Sequence, residues 1–384
     1  MTLSWWQMPG PARFIDGVIQ EMREGRNTFL LIPRHFPSGL RESIRRQVQS
    51  SMDIPWRTLD LSELDSHRPV ESILRLFDPA SRIVGPVTFA DMIANVKLNS
   101  GYMIWAELSS AEEWPPWKSF FEEYAHACRA VPLVQRSLFC VLLSGEPAIQ
   151  PPLVDVCLAA LKWQGVVDQM DSLLYASLQF GSKPWPAKKR QLAAYLTAFL
   201  GQWDPTLIDL LHSGDFKHLL KPHDLLHDYG ISRGWDQCDF KKSAHKWAEG
   251  ISDHFEGMER EHAAYLALNG SSHLVTHKVW AAETTVLFPH IEEFRHQLLD
   301  AMVGRLVPPF RSVHGELVED PRELELSDLL NLLKNDPSLW IDHGTWGCLK
   351  AMKFARNQLA HKQPIDPELL ESDDMFRLPS QVIT

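Results

Sequence analysis

The sequence contains no long apolar run and few cysteines. No run reaches the roughly 18–20 apolar residues that a helix needs to span a bilayer, and residues 1–6 lack the basic and apolar regions of a signal peptide. An odd number of widely spaced cysteines indicates neither a disulfide framework nor a CxxC zinc site. They are Cys128, Cys140, Cys157, Cys238 and Cys348. We therefore expect a cytoplasmic protein with buried thiols and no association with membranes.

The motifs of metal-dependent and nucleophilic hydrolases are also missing. The 17 histidines include no His-Glu-x-x-His, and the pairs Asp224/His227 and His273/His277 lack a third ligand at a recognisable spacing. Neither Gly-x-Ser-x-Gly nor a Cys–His pairing stands out. The sequence therefore predicts no metal and no cofactor.

The N-terminal part alternates strand-like and helix-like segments. With 384 residues, 45% of them hydrophobic, the chain has enough length and apolar content for two or three domains. Apolar runs predict strands at residues 28–32, 56–61, 102–108 and 137–143, and helical periodicity predicts helices at residues 14–23, 39–50, 70–77 and 117–130. Continuous apolar strands suit a parallel sheet covered on both faces. We predict an α/β domain over residues 1–150.

The rest of the sequence is predicted to be helical. Predicted helices cover residues 153–163, 168–180, 186–200, 238–255 with a possible extension to 268, 276–303, 325–334 and 346–361. We interpret residues 151–232 as a connecting helical domain and residues 233–372 as an antiparallel helical bundle. A flexible tail is predicted over residues 373–384.

The loop after the first predicted strand, residues 33–41, lies where a P-loop protein carries Gly-x-x-x-x-Gly-Lys-Ser/Thr. Here Leu40 replaces the lysine and Arg41 the magnesium-binding hydroxyl, and two prolines remove backbone donors. The strand that ends near Glu107 similarly lacks a metal-holding Asp. Over about residues 10–150 this layout resembles a degenerate P-loop ATPase of the AAA+ or STAND class. The resemblance implies a sensing or docking domain without efficient ATP hydrolysis; an unrelated α/β domain without a ligand is the alternative.

The last predicted helix combines Arg, Asn and His without an acidic neighbour in the sequence. No carboxylate occurs between Asp342 and Asp366. The same stretch holds four positive charges, Lys350, Lys353, Arg356 and Lys362. Because the formal net charge of the protein is −11, a local basic helix indicates an anionic substrate.

The motif Arg-Asn-x-x-Ala-His from Arg356 to His361, followed by Pro364, resembles that of the HEPN superfamily. Active members of this family are helical-bundle ribonucleases that work without a metal, and the resemblance covers about residues 235–370. It implies that His361 transfers protons while the RNA 2′-hydroxyl attacks the adjacent phosphate, that Arg356 stabilises phosphate charge, and that Asn357 orients the reacting groups. The flanking RNA backbone would be held by Lys350, Lys353 and Lys362.

Helical geometry separates the arginine from the histidine. Asn357 and His361 are four residues apart and share a face, whereas Arg356 and His361 are five apart, about 140° around the helix. Two copies of the helix that face each other across a two-fold axis bring these groups together more easily. We therefore predict a homodimer formed through the C-terminal bundle.

A further polar cluster lies on the predicted helix over residues 276–303. Pairs three and four apart, such as Glu292 with Arg295 and His296, are neighbours on a helix surface. We expect an exposed set of ion pairs rather than the lining of a cleft. Its members are Glu283, His290, Glu292, Glu293 and His296.

Two functions remain open from the sequence. The first, which the resemblance implies, is an endoribonuclease effector of an antiphage-defence or toxin-antitoxin system, with RNA as substrate and a possible partner protein. The second is a non-catalytic adaptor of a multi-protein defence complex, in which Arg356, His361 and Lys362 only complement the helix dipole. Exposure of His361 favours the nuclease, and burial against its own core favours the adaptor.

Overall fold

The computed structural model describes residues 4–80, 85–238, 241–336 and 338–377. The chain divides into two compact units. The α/β unit contains Met1–Asp171 and Arg233–His262, and the helical unit contains Ser172–Ser232 and Ala263–Thr384. Each unit is thus assembled from two separate stretches of the sequence. The division into three domains and a flexible tail, expected from the sequence, remains a prediction.

A parallel sheet of five strands forms the centre of the α/β unit. The strands are β1 Asn27–Ile32, β2 Trp56–Asp60, β3 Met103–Leu108, β4 Leu138–Ser144 and β5 Leu158–Lys162. Their order is β2-β3-β4-β1-β5, and every neighbouring pair is parallel. The helices of this region are α1 Pro9–Arg23, α2 Leu40–Ser51, α3 Pro69–Phe77, α4 Phe89–Ala94 and α5 Trp114–Ala127. The predicted α/β fold with a parallel sheet is confirmed.

The core of the α/β unit is centred on β1, all six residues of which are buried. Phe29 of β1 meets Phe121 of α5 edge to face, with ring centroids 5.3 Å apart, and Trp117 of α5 is fully buried. Asn27 opens the strand and its side-chain oxygen accepts a hydrogen bond from the Phe139 N–H at 2.9 Å. Each buried large apolar side chain contributes about 1.5–3 kcal/mol, so this strand and α5 anchor the sheet.

The remainder of the chain is largely helical, as predicted. Its helices are α6 Gln169–Phe180, α7 Ala187–Gly201, α8 Pro205–Ser213, α9 Phe216–Leu220, α10 His223–Ser232, α11 Ser243–Ala248, α12 Ala263–Leu268, α13 Ser272–Met302, α14 Leu326–Asn335, α15 His343–Ala360 and α16 Pro367–Glu371. Two hairpins pair β6 Ser252–Phe255 with β7 Met258–Glu261, and β8 Phe310–Arg311 with β9 Leu317–Val318. In the helical unit α13 packs against α7 and α15. In the part of the chain that the structure describes, no helix has the length and apolar character needed to cross a bilayer.

Residues 153–163 do not form the predicted helix. Residues 158–162 are strand β5, which pairs in parallel with β1 from Asn27 opposite Leu158 onward. The letters Leu-Ala-Ala-Leu-Lys favour a helix by intrinsic propensity. However, the second edge of β1 needs hydrogen-bond partners, and β5 supplies them while it buries Leu158 and Ala159. Tertiary pairing therefore overrides local propensity here.

Residues 238–255 are not one helix either. Gly250 follows the short helix α11 with a φ of 78°, and Glu256 and Gly257 connect β6 to β7 with φ values of 54° and 75°. Two consecutive positive φ angles are those of a type I′ turn, which joins two strands into a tight hairpin. Residues 239–240 of the predicted helix lie outside the described residues.

The described beginning of the predicted tail is packed. Asp373–Phe376 forms a single 3₁₀ turn, and Met375 and Phe376 are buried. Residues 378–384 of the predicted tail lie outside the described residues. Apolar burial thus extends the ordered part of the helical unit past residue 373.

Gly10→Ala is expected to destabilise the α/β unit. A Cβ at Gly10 in α1 would overlap the Val166 carbonyl oxygen and the Asp171 carboxylate, which accepts a hydrogen bond from the Gly10 N–H at 2.9 Å. Because backbone must shift to make room, we expect the free energy of unfolding in urea to fall by about 1–3 kcal/mol. Gly304→Ala, which meets open space, should change it by less than about 0.5 kcal/mol. Equal stability of both variants would contradict this packing.

Candidate functional site

The loop between β1 and α2 is closed by contacts within the α/β unit. The Arg34 N–H donates to the Ala248 carbonyl at 2.6 Å, and a ring nitrogen of His35 lies 2.9 Å from the Arg233 carbonyl oxygen. The Phe36 ring meets Trp163 edge to face, with centroids 4.9 Å apart. A phosphate cradle needs free backbone N–H groups that point into open space. Here the loop packs against other segments of the α/β unit instead.

Gly39 and the residue after it complete this closure. The Ser38 carbonyl accepts a hydrogen bond from the Trp6 indole at 2.8 Å, and Gly39 adopts a φ of 95° beside the same indole. Leu40, where a P-loop lysine would stand, is buried. The Arg34 guanidinium lies 3.2 Å from the Glu249 carboxylate. The part of the sheet edge that follows β1 is therefore filled by the chain itself.

A polar cleft of about 360 Å³ lies at the carboxyl ends of β2, β3 and β4. Ligands of open α/β sheets bind at this edge. Three carboxylates and one guanidinium line the cleft, namely Asp60, Glu107, Glu113 and Arg41. Hydrogen bonds from Ser62 hold the pKa of Asp60 below its usual range, and Arg41 already lies 3.7 Å from Glu107. An excess of negative charge makes this cleft unsuited to phosphate.

The last turn of α15 ends in a fixed conformation. The His361 N–H donates to the Asn357 carbonyl at 3.1 Å, the Lys362 N–H to Leu359 at 3.0 Å and the Gln363 N–H to Gln358 at 2.9 Å. Lys362 adopts a left-handed φ of 58°. This pair of bonds after His361 is a Schellman motif, which satisfies the carbonyls at a helix end. Hydrogen bonds therefore hold the backbone at His361 in one conformation.

One exposed face of α15 carries three of the predicted site residues. Lys350, Phe354, Asn357 and His361 are all exposed and follow one another at spacings of four, three and four residues, which places them on one stripe of the helix. The buried face comprises Cys348, Leu349, Met352, Ala355 and Leu359. The structure thus places Lys350, Asn357 and His361 on one stripe, with Asn357 one turn from His361 and Lys350 about 16 Å from it along the helix axis. The Lys350 ammonium lies 5.1 Å from the centroid of the Trp346 ring.

Arg356 is directed elsewhere. Its Nη2 lies 2.8 Å from a carboxylate oxygen of Glu325, and 31% of its side chain is exposed. Glu325 also caps α14 as the residue before its first turn. The sequence shows no acidic neighbour for Arg356, but the fold supplies one. Lys353 is half-buried, and Lys362 lies on the left-handed turn that follows the helix, so neither belongs to the exposed helical stripe.

Two buried titratable residues of α13 were missed from the sequence. Glu283 and His290 were expected to belong to an exposed set of ion pairs, but both are buried. Glu292 of that set does form the expected ion pair with Arg295, at 2.9 Å. Glu283 and His290 are seven residues apart and fall on the apolar stripe of α13 with Val279 and Val286. This periodicity, shared with the apolar residues, is the signal in the sequence that indicates burial of Glu283 and His290.

Glu283 holds the chain that follows α15. Its Oε2 accepts a hydrogen bond from the Ile365 N–H at 2.7 Å, and its Oε1 is buried without a partner among the described residues. Burial raises the pKa of Glu283 to about 8, so this carboxyl is neutral at neutral pH. Three residues earlier on α13, the Trp280 indole donates to the Leu359 carbonyl at 2.9 Å. The end of α15 is thus fastened to α13 on both sides of His361.

His290 holds the segment around Met375. Its Nε2 lies 3.1 Å from the Met375 carbonyl oxygen, which only accepts, so Nε2 carries the proton. The other ring nitrogen, Nδ1, is buried without a partner in the described part of the chain. Burial lowers the pKa of His290, which keeps the imidazole neutral. Its contacts are those of a packing group and not of a reacting one.

Comparison of the sequence with protein-family models and with curated proteins found no match. Across residues 4–80, 85–238, 241–336 and 338–377, no three His, Cys, Asp or Glu side chains are arranged to hold a metal ion.

The helical unit is expected to lose stability as the pH rises through the range set by Glu283. The pKa of this carboxyl is 4.5 in its ordinary state and about 8 in the folded protein, so the folded state keeps a proton that the unfolded state releases. The stabilisation is complete below the lower pKa and is lost as the pH approaches the upper one. The loss is on the order of a few kcal/mol.

Hydrogen exchange of the α13 and α15 amides between about pH 5 and pH 8 measures this loss once intrinsic rates are removed. Glu283→Gln abolishes the titration and should flatten the pH dependence. Glu293→Gln makes the same chemical change on the exposed side of α13 and should leave the dependence as in the parent. A full pH dependence in Glu283→Gln would contradict this assignment.

Proposed function

We propose that the chain is a cytoplasmic, metal-independent endoribonuclease that acts as a homodimer through α15. The observation that carries the proposal is the exposed face of α15, which presents Lys350, Asn357 and His361 along one stripe. The resemblance of the motif to that of HEPN ribonucleases supplies the reaction. RNA is the substrate because the chemistry uses the 2′-hydroxyl, which DNA lacks.

His361 is proposed to take the proton from the RNA 2′-hydroxyl, or to return a proton to the leaving 5′-oxygen. The 2′-oxygen forms a bond to phosphorus while the bond to the 5′-oxygen breaks. Asn357, one turn earlier on the same face, orients His361 or the phosphate. Lys350, Lys353 and Lys362 are proposed to attract the RNA backbone along α15. Lys362 follows His361 directly, whereas Lys350 lies about 16 Å from it along the helix axis and would contact phosphates farther from the cleaved bond.

Arg356 requires a change of partner to act on the phosphate. Its present partner Glu325 is 52% exposed, and ion pairs of such exposure contribute only about 0–1 kcal/mol. An RNA phosphate, which binds guanidinium in a two-pronged geometry, competes well with such a carboxylate. A phosphate held between two copies of α15 would thus draw Arg356 away from Glu325.

The exposed face of α15 also suits a second copy of the same helix. Phe354 is 52% exposed in the middle of this face, and exposed aromatic side chains are typical anchors of interfaces. Gly347, two turns before Phe354 on the same stripe, has open space around it, which permits a close approach of another backbone. We therefore propose that two α15 helices pair around Phe354.

The α/β unit is proposed to dock or sense without hydrolysing ATP. The support is the loop after β1, where the N–H of Arg34 and the ring of Phe36 are engaged by the chain itself. A nucleotide would have to displace those contacts. As a component of an antiphage-defence or toxin-antitoxin system, the protein would receive its trigger or a partner protein through this unit.

The adaptor alternative is supported by the ion pair between Arg356 and Glu325. If Arg356 serves only to join α15 to the start of α14, the motif is structural and the helical unit mediates assembly alone. The two functions differ in what His361 does, since an adaptor has no use for an exposed imidazole on a fixed turn.

His361→Ala is expected to reduce RNA cleavage by at least about a hundredfold, because a general acid–base group contributes that much or more. Cleavage of a fluorescent single-stranded RNA by the purified protein measures the effect, and a chelator of divalent metals should leave the parent rate unchanged. His314→Ala, which removes another exposed histidine, is the control. Equal cleavage by the parent and His361→Ala, or none by the parent, would remove the nuclease.

Mixed dimers test whether one site uses groups from two chains. Arg356→Ala and His361→Ala should each be inactive alone, while an equimolar mixture should regain about a quarter of the parent activity, because half of the dimers then hold one complete site of two. Glu325→Gln should remain active, since it only frees Arg356. Absence of any regain in the mixture would show that Arg356 and His361 act within one chain.

A further inference from the structure

We propose that Glu283 is a positioning residue for His361, which it holds in place through the backbone of Ile365. The inference rests on the proposed function for its catalytic consequence, but its geometric part stands on contacts within the helical unit. Glu283 touches neither the exposed face of α15 nor any substrate that binds there. It acts through the turn on which His361 is mounted.

The turn is fastened at two points by neighbouring residues of α13. The Trp280 indole donates to the Leu359 carbonyl at 2.9 Å, two residues before His361. The Glu283 carboxyl accepts from the Ile365 N–H at 2.7 Å, four residues after His361. The Glu283 bond is buried, so water does not compete for it, whereas the Trp280 bond is partly buried. Between the two points the Schellman bonds leave His361 one backbone conformation.

A carboxyl at this position costs stability that an apolar side chain would not. Glu283 is fully buried, and one of its oxygens lacks a partner in the described structure, which is unfavourable. A leucine would pack at the same place on the apolar stripe without that cost. What leucine cannot do is accept the Ile365 N–H, which would then be buried without a partner. The distinctive role of Glu283 is therefore to hold this amide.

Two substitutions at the same position separate the acceptor from the bulk of the side chain. Glu283→Gln keeps an oxygen for the Ile365 N–H, and because the pKa of Glu283 is about 8, glutamine imitates the neutral acid present at pH 7. Glu283→Leu keeps the volume and removes the acceptor. Trp280→Phe removes the other bond, to Leu359, while it retains an aromatic ring in the same space.

The first readout is the nuclear magnetic resonance spectrum of His361, which needs no RNA cleavage. Glu283→Leu and Trp280→Phe should shift the imidazole signals of His361 and the amide signals of residues 361–365, whereas Glu283→Gln should leave them near the parent positions. Unchanged signals in Glu283→Leu would overturn the proposal. If Glu283→Leu does not fold, the spectra of Trp280→Phe and Glu283→Gln are compared instead. His361 signals that move as far in Glu283→Gln as in Trp280→Phe would also overturn the proposal.

The second readout is the rate of RNA cleavage. Glu283→Leu should lower kcat by about tenfold or more with little change in KM, since misplacement of a reacting group by a fraction of an ångström affects the reaction rather than binding. Glu283→Gln should restore kcat. A parent protein that cleaves no RNA would defeat the proposed function, while the spectra would still test the positioning. Equal kcat in all variants would overturn the role of Glu283 in catalysis.

Discussion

The attachment of the end of α15 to α13 is the constraint on which the candidate site depends. Trp280 and Glu283 supply an indole donor and a carboxyl acceptor from adjacent turns of one long helix. Both bonds are made to backbone, and the Glu283 bond lies in the buried interior, where a hydrogen bond is strong and an unpaired group is costly. Because α13 makes both bonds, its packing against α15 holds the backbone on either side of His361.

Buried polar groups have a comparable role elsewhere in the helical unit. His290 bonds to the Met375 carbonyl, and the Lys189 ammonium lies 3.2 Å from the Glu371 carbonyl oxygen. These contacts hold the chain that follows α15 along the inner elements of the unit. The α/β unit uses aromatic rings for the same purpose, since Trp163 packs edge to face on Phe36 in the loop after β1. In both units, packing against irregular segments determines which surfaces remain open.

Strong apolar runs made most of the α/β fold predictable. Most residues of β1, β3 and β4 are buried, so their sequences are mainly apolar, and the strands were found within a residue or two. β5 was missed because Leu-Ala-Ala-Leu-Lys carries helical propensity, and only the edge of β1 makes it a strand. The β6–β7 hairpin was missed because its strands are short and charged, and Gly257 was the one local sign of the turn.

The sequence by itself determined the fold class and the face of α15 on which Asn357 and His361 lie, because helical periodicity fixes the directions of side chains four residues apart. Only the tertiary structure decided three other points. It paired Arg356 with Glu325, left His361 exposed and buried Glu283 beneath the turn. Burial and charge partners depend on which elements pack together, and residues distant in the chain meet only when the fold is formed.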